Sequence, residues 1–407
     1  METNMNGYRN VAMAIIAASL PPIASAEDAA MGATDRSLQP LPYIYTDWTH
    51  FTSKDGLPND HVFAVKVDGN NVWVGTENGL ALIDKTQKKV VATWQEKDGL
   101  PFKVVSSIDV DRAGDLWLGL FGGGLARYSG GRFDQWHQLK SGLLNDVVYG
   151  VACDKDKDHV WIATTAGANR FDPKTGEWNV YTEKNAPMEE IWNYGVAYND
   201  GKVYLGVWGS GVLECDTETL KWKDYLDPDG EMEIDLYRDD GVPHVITTGV
   251  SYIDKILWVS SYFGVARYDG RHWRGYFDHE TGIPSNFTNA VKGRSANEAW
   301  YATDKGVGVV VDVPTDTWIT YTMDPETHHG IAVVSRNKQV LERVETEHGL
   351  PHNYALWTEF DGNDVWVATS KGVGWGHGSE YYPGLKERPL LVESGKAPGV
   401  LVASAGH

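Results

Sequence analysis

The chain has 407 residues, with 36 Lys plus Arg against 56 Asp plus Glu, a formal charge of −20 at pH 7. That balance argues against a nucleic-acid partner, which asks for a basic face, and no apolar run is long enough to span a membrane. With 17 Trp, 20 Tyr and 44 Gly, the composition favours short strands and tight turns over helices.

The N-terminus reads as an address. Arg9 precedes the apolar run Val11 to Leu20, and Ala24-Ser25-Ala26 follows as a small-residue cleavage pattern. This predicts a signal peptide over 1–26, a linker over 27–42 and a periplasmic or secreted protein. The two cysteines, Cys153 and Cys215, are read as buried free thiols.

From residue 43 onward the sequence repeats. One set of aromatics, Trp73, Trp117, Trp161, Tyr204, Trp258, Trp300 and Trp366, sits in a predicted second strand. Another, Trp48, Trp94, Trp136, Trp178, Trp222, Trp273 and Trp318, sits in a predicted fourth strand. Most steps within each set fall between 42 and 46 residues, the period of four-stranded propeller blades. Turns such as Gly56-Leu57-Pro58, Gly99-Leu100-Pro101 and Gly349-Leu350-Pro351 separate the units. The fold class is therefore all-β, a seven-bladed propeller over 43–378. Trp48 has no earlier unit to serve, so the strand around Ile44 to Phe51 is predicted to complete the last blade.

Segments such as Gly56–Asp84 and Gly114–Tyr128 resemble the two-component-regulator propeller repeat, in register over about residues 43–376. In that family the repeats form the extracytoplasmic sensor half of membrane histidine kinases, often responding to glycans. The resemblance implies a sensor-like propeller. The sequence departs from the family by having no transmembrane, kinase or DNA-binding segment, which leaves a free-standing exported propeller as the expectation.

Two insertions break the period. Residues 227–240 are strongly acidic and read as a solvated loop. Residues 323–346 read as an added hairpin about Asn337-Lys338. The tail, 379–407, loses the repeat and is expected to be loosely packed.

A propeller gathers two loop sets around one mouth of its axial channel: the turns from fourth to inner strand and those from second to third. The candidate ligand-binding residues on these loops are Asp60, Lys103, Phe121, Asp146, Trp192, Trp208, Tyr262, Phe263, Asn286 and Asn353. Aromatic faces on Gly-flanked turns suit sugar rings, planar ligands or quaternary amines. Asp and Asn at such turns also bond their own backbone. His61, His244, His352 and His328 map to the same face or its hairpin, where converging imidazoles would hold a divalent metal (Cu, Zn, Mn or Ca). No nucleophile elbow, phosphate loop or dinucleotide fingerprint occurs. The leading expectation is an exported, monomeric binding propeller without a required cofactor, recognising a small or glycan-like ligand or an extracytoplasmic protein. The alternatives are a metal-dependent lyase or oxidoreductase, and an accessory scaffold subunit.

Overall fold

The computed structural model of the protein describes residues 41–225, 242, 244–378 and 401–402. The predicted signal peptide, residues 27–40 of the linker, the acidic insertion and all of the tail but residues 401–402 lie outside the described residues.

Seven sheets form, six of four strands and one of seven. Blade 1 runs Val62–Asp68, Asn71–Thr76, Gly79–Asp84 and Lys89–Trp94. Blades 2 to 6 begin with inner strands Val105–Val110, Val148–Asp154, Asn193–Asn199, Thr247–Ile253 and Thr288–Gly293, and blade 7 with Ala355–Asp361. Neighbouring inner strands pack side by side, and the seventh meets the first. The ring is sealed by Trp48–Phe51, which pairs antiparallel with Gly372–Gly376 (Trp48 opposite Gly376, Phe51 opposite Val373). The N-terminal strand thus completes the last blade, as the tryptophan register requires.

Sequence pattern follows radial position. A second strand is sandwiched between two neighbouring blades, so Asn71–Thr76 is buried along nearly its whole length and reads as a continuous apolar run. The outer strand Lys89–Trp94 alternates exposed and half-buried residues. Trp117, Trp161, Trp258, Trp300 and Trp366 are fully buried between blades. At about 25 cal/mol per Å², each such side chain contributes roughly 4–6 kcal/mol of transfer free energy. Aromatic contacts cross from blade to blade, as in Trp73 with Tyr128 at 6.0 Å and Trp161 with Trp222 at 6.4 Å between ring centres. Cys153 and Cys215 are free, buried in separate interblade cores.

The second-to-third turn is built the same way in most blades. Thr76 donates its hydroxyl to the Gly79 carbonyl at 2.8 Å and accepts the Asn78 N–H; Thr164, Ser261, Thr303 and Thr369 do likewise. The glycine is required by φ and by space. At Gly372 φ is 111°, and a Cβ there would lie 2.6 Å from the Phe51 carbonyl oxygen.

Blade 6 carries the added hairpin, Gly330–Arg336 and Gln339–Thr346, turning through Asn337 and Lys338, both at positive φ, as a tight two-residue β-turn demands. It extends that sheet outward, and Leu401–Val402 runs parallel to its last strand.

Candidate functional site

One hydrogen bond recurs in all seven blades and defines the mouth. The backbone N–H of a second-to-third turn residue donates to the carbonyl just before the inner strand. The pairs are Glu77–His61, Phe121–Val104, Thr165–Val147, Trp208–Trp192, Tyr262–Ile246, Asp304–Phe287 and Ser370–Tyr354. The two loop sets that the sequence places together are thereby locked together.

Each inner strand then carries a bulge at its second residue. Val62 pairs with Thr76 and Ala64 with Gly75, leaving Phe63 as the extra residue. The same slip singles out Ser106, Tyr149, Tyr194, Thr248, Asn289 and Leu356. A bulge re-aims one side chain and bends the strand. All seven bulge residues line one axial cavity of about 550 Å³, within the range of small-molecule sites.

The cavity is lopsided. Three residues below the bulge, the blades present Lys66, Asp109, Ala152, Ala197, Ser251, Lys292 and Glu359 in turn. On blades 3 to 5 the wall is thin, because Gly150, Gly195 and Gly249 also line it. Blades 4 and 5 approach so closely there that a Cβ on Gly195 would lie 3.0 Å from the Gly249 Cα. The opposite wall holds an ion quartet. Lys66 lies 2.9 Å from Asp109 and 3.6 Å from Glu359, and Lys292 lies 2.9 Å from Glu359. Asp109 also accepts the Cys153 N–H at 2.8 Å. Burial opposes the charge on Lys66, yet Glu359 and Asp109 together hold its pKa above the usual lysine value. Burial likewise opposes ionisation of the two acids. Lys66 nonetheless keeps Asp109 below the ordinary carboxylate range, as Lys292 and Lys66 keep Glu359.

Above the thin wall stands an aromatic lip centred on Tyr194. Its ring lies 4.6 Å from Tyr149, 5.9 Å from Trp208, 6.3 Å from Tyr262 and 6.5 Å from Trp192. Phe121 continues the arc 5.3 Å from Tyr149, and Phe287 stacks on Tyr262 at 4.5 Å. Burial, reinforced by the Tyr262 and Tyr149 phenols bonded to it, pushes the Tyr194 hydroxyl up. The lip is thus neutral and offers phenol groups able to donate and accept. Trp192 and Phe121 remain 45% and 41% exposed, which leaves ring faces open to a ligand.

Of the candidate residues, Phe121, Trp192, Trp208 and Tyr262 come together in this lip. Phe263 turns aside, packing on Phe277 at 5.7 Å and on His244. Asp60, Asp146, Asn286 and Asn353 occupy one repeat position, and each ties the loop to the outer strand before it. Their side-chain oxygens accept the N–H of Ser53, Gln138, Asp278 and Met323 at 2.5, 2.8, 2.8 and 2.6 Å. Lys103 holds the same position in blade 2 and is exposed.

The histidines resolve in the same manner. Nδ1 of His244 accepts the Ile246 N–H and Nδ1 of His352 accepts the Tyr354 N–H, each at 3.1 Å. In other blades Asn59, Asn145 and Ser285 cap the same N–H with a side-chain oxygen. Burial lowers the pKa of both histidines, with Lys371 adding to the effect at His352, so the neutral acceptor form is favoured. His61 stacks on Phe63 at 4.5 Å. His328 is exposed on the loop before the hairpin at a φ of 62°. The four imidazoles stand on different loops, and among the described residues no three His, Cys, Asp or Glu side chains gather as a metal-binding group.

Sequence reasoning passed over Tyr149, Phe63 and the ion quartet. The available signal was registral: a large residue followed by Gly or Ala at the head of the inner strand, and a charge at one fixed position in a strand otherwise apolar.

The fold is shared with solved structures of low identity. The extracellular domain assigned to the hybrid two component system BT3049 of B. thetaiotaomicron superposes with a TM-score of 0.56 at 16% identity, over 82% of this chain and 42% of that one. PorZ, an essential surface component of the type-IX secretion system of Porphyromonas gingivalis, gives 0.55 at 12% identity, over 81% of this chain and 48% of that one. The computationally designed Ika8 protein gives 0.53 at 13% identity, over 78% and 96%. The chain therefore spans less than half the length of the two natural chains it matches. No protein-family model and no curated protein matches the sequence. No helix among the described residues is long and apolar enough to cross a membrane.

Proposed function

We propose that this chain is a recognition propeller acting outside the cytoplasm, which takes a small, ring-bearing, glycan-like ligand at its axial mouth. The observation that carries the reading is the aromatic lip around Tyr194, seated over a cavity of about 550 Å³. Exposed Trp and Phe faces offer stacking surface to a sugar ring, and phenol hydroxyls meet ligand hydroxyls as donor or acceptor. The extracellular domain of a hybrid two component system that shares the fold is consistent with a binding role. Calorimetric titration of mono- and oligosaccharides and small metabolites tests the reading. One class binds the wild type, and Trp208→Ala weakens it about 5- to 150-fold, since a stacked ring contributes about 1–3 kcal/mol. Binding unchanged in Trp208→Ala would refute the lip as the site.

A second reading, an accessory subunit of an extracytoplasmic assembly, draws on the hairpin that projects from blade 6 with Val340 52% exposed. It predicts a stable complex with an extracytoplasmic protein that Val340→Lys disrupts while sugar binding is retained.

A further inference from the structure

The ion quartet sits at the bottom of the same cavity, and its four members are unequally accessible. The lysines are the more open pair, Lys292 with 31% and Lys66 with 20% of the side chain exposed, against 15% for Asp109 and 9% for Glu359. Each carboxylate is engaged by a lysine, and Asp109 by the Cys153 and Val110 backbone N–H groups as well. Lys66 has two acidic partners. Lys292 has one carboxylate partner among the described residues, Glu359 at 2.9 Å, and lies over the Trp357 ring at 6.0 Å from its centre, while an ammonium carries three donors. Its remaining donors face a cavity whose far wall is glycine and alanine, with no competing carboxylate in the positions opposite, Ala152, Ala197 and Ser251.

We infer that the ligand bound at the lip is an acid: a ring compound whose carboxylate reaches down the thin wall to the ammonium of Lys292. This rests on the reading of the lip as the binding site and adds the charge class of the ligand. The quartet is neutral as a whole, two lysines and two acids. An anion on the open side of Lys292 nonetheless lies nearer that ammonium than the Glu359 carboxylate behind it. The nearer charge dominates, because Coulomb energy falls with distance. A neutral ring offers the ammonium of Lys292 only uncharged acceptors, which make weaker hydrogen bonds to it than a carboxylate does. Lys66, Asp109 and Glu359 keep their charges at neutral pH, since Lys66 is shifted up and both acids down.

The test titrates the full chain with D-galacturonate and D-galactose, which differ at one carbon, at constant ionic strength. The wild type is expected to bind the acid about 10- to 100-fold more tightly, the size of one charge-assisted hydrogen bond. Lys292→Met is expected to erase the ratio and leave galactose affinity unchanged, whereas Lys292→Arg retains the preference. Because Lys292→Met uncovers Glu359, a second variant guards against misfolding. Ala197→Glu puts a carboxylate on the opposite wall and is expected to weaken the acid but not the neutral sugar. Equal affinity for the two sugars in the wild type, or a ratio that survives both Lys292→Met and Ala197→Glu, overturns the inference and leaves the lip reading standing. If neither sugar binds and Trp208→Ala alters no titration in the wider panel, both fall.

Discussion

Glu359→Gln is the perturbation whose size follows most directly from the structure. Glu359 is 7% exposed and stands between two ammonium groups, 3.6 Å from Lys66 and 2.9 Å from Lys292. Removing its charge leaves the half-buried Lys292 with no acid beside it and Lys66 with Asp109 alone. Breaking a buried pair in this way costs about 3–5 kcal/mol. The pH dependence has a definite sign. The folded-state pKa of Glu359 is depressed by Lys292 and Lys66 against the pull of burial, while the unfolded value is about 4.3. A depressed carboxylate contributes stability that is complete above the unfolded pKa and is lost as pH falls through the folded one. Denaturant unfolding of wild type and variant from pH 8 down to pH 3 should therefore show a gap of about 3–5 kcal/mol at neutral pH that begins to narrow below about pH 4. The double variant Lys292→Met, Glu359→Leu should recover much of the loss, because an apolar pair of similar volume escapes the desolvation cost. A variant as stable as wild type at pH 7, or a gap constant down to pH 3, would refute the quartet as described.

Trp48→Ala removes a 4% exposed ring from the closing strand, and should cost about 3–5 kcal/mol in thermal or denaturant unfolding, with hydrogen exchange rising first along Gly372–Gly376, its partner strand. His352→Asn should keep stability within about 0.5 kcal/mol of wild type while His352→Ala loses about 1–2 kcal/mol, because asparagine restores the cap on the Tyr354 N–H and alanine does not. Metal analysis of the His352 variants should match wild type, since Nδ1 of the imidazole is engaged in a cap; stoichiometric metal lost on substitution would support the histidine-built site instead.

The fold was legible because its largest side chains keep register. A tryptophan in the second strand of nearly every blade, and another in the fourth, is the packing unit itself, and the unmatched Trp48 announced the closure. The mouth was legible from topology, since the two loop sets share a face in any such blade. The roles of individual loop residues were harder. Asn59 and His352 look unlike in sequence, yet both accept a backbone N–H from the residue two places on, and an imidazole Nδ1 substitutes for an amide oxygen there. Reading each histidine beside its blade equivalents, rather than beside other histidines, makes the cap visible. The bulges were not legible from alternation, because a one-residue slip exchanges the two faces of a strand. Simple alternation would place Phe63 and Tyr149 in the blade interior, whereas the slip turns them into the channel. The quartet depends on the same slip, as its members meet only once seven inner strands share a bulge.

Hydrogen–deuterium exchange with and without the ligand that emerges from the titration panel tests the central claim most directly. Binding at the lip predicts protection in 191–196, 206–210 and 245–249, the mouth ends of blades 4 and 5, with the outer strands unchanged. Protection confined to the blade 6 hairpin, 330–346, or to the outer rim would contradict recognition at the axial mouth.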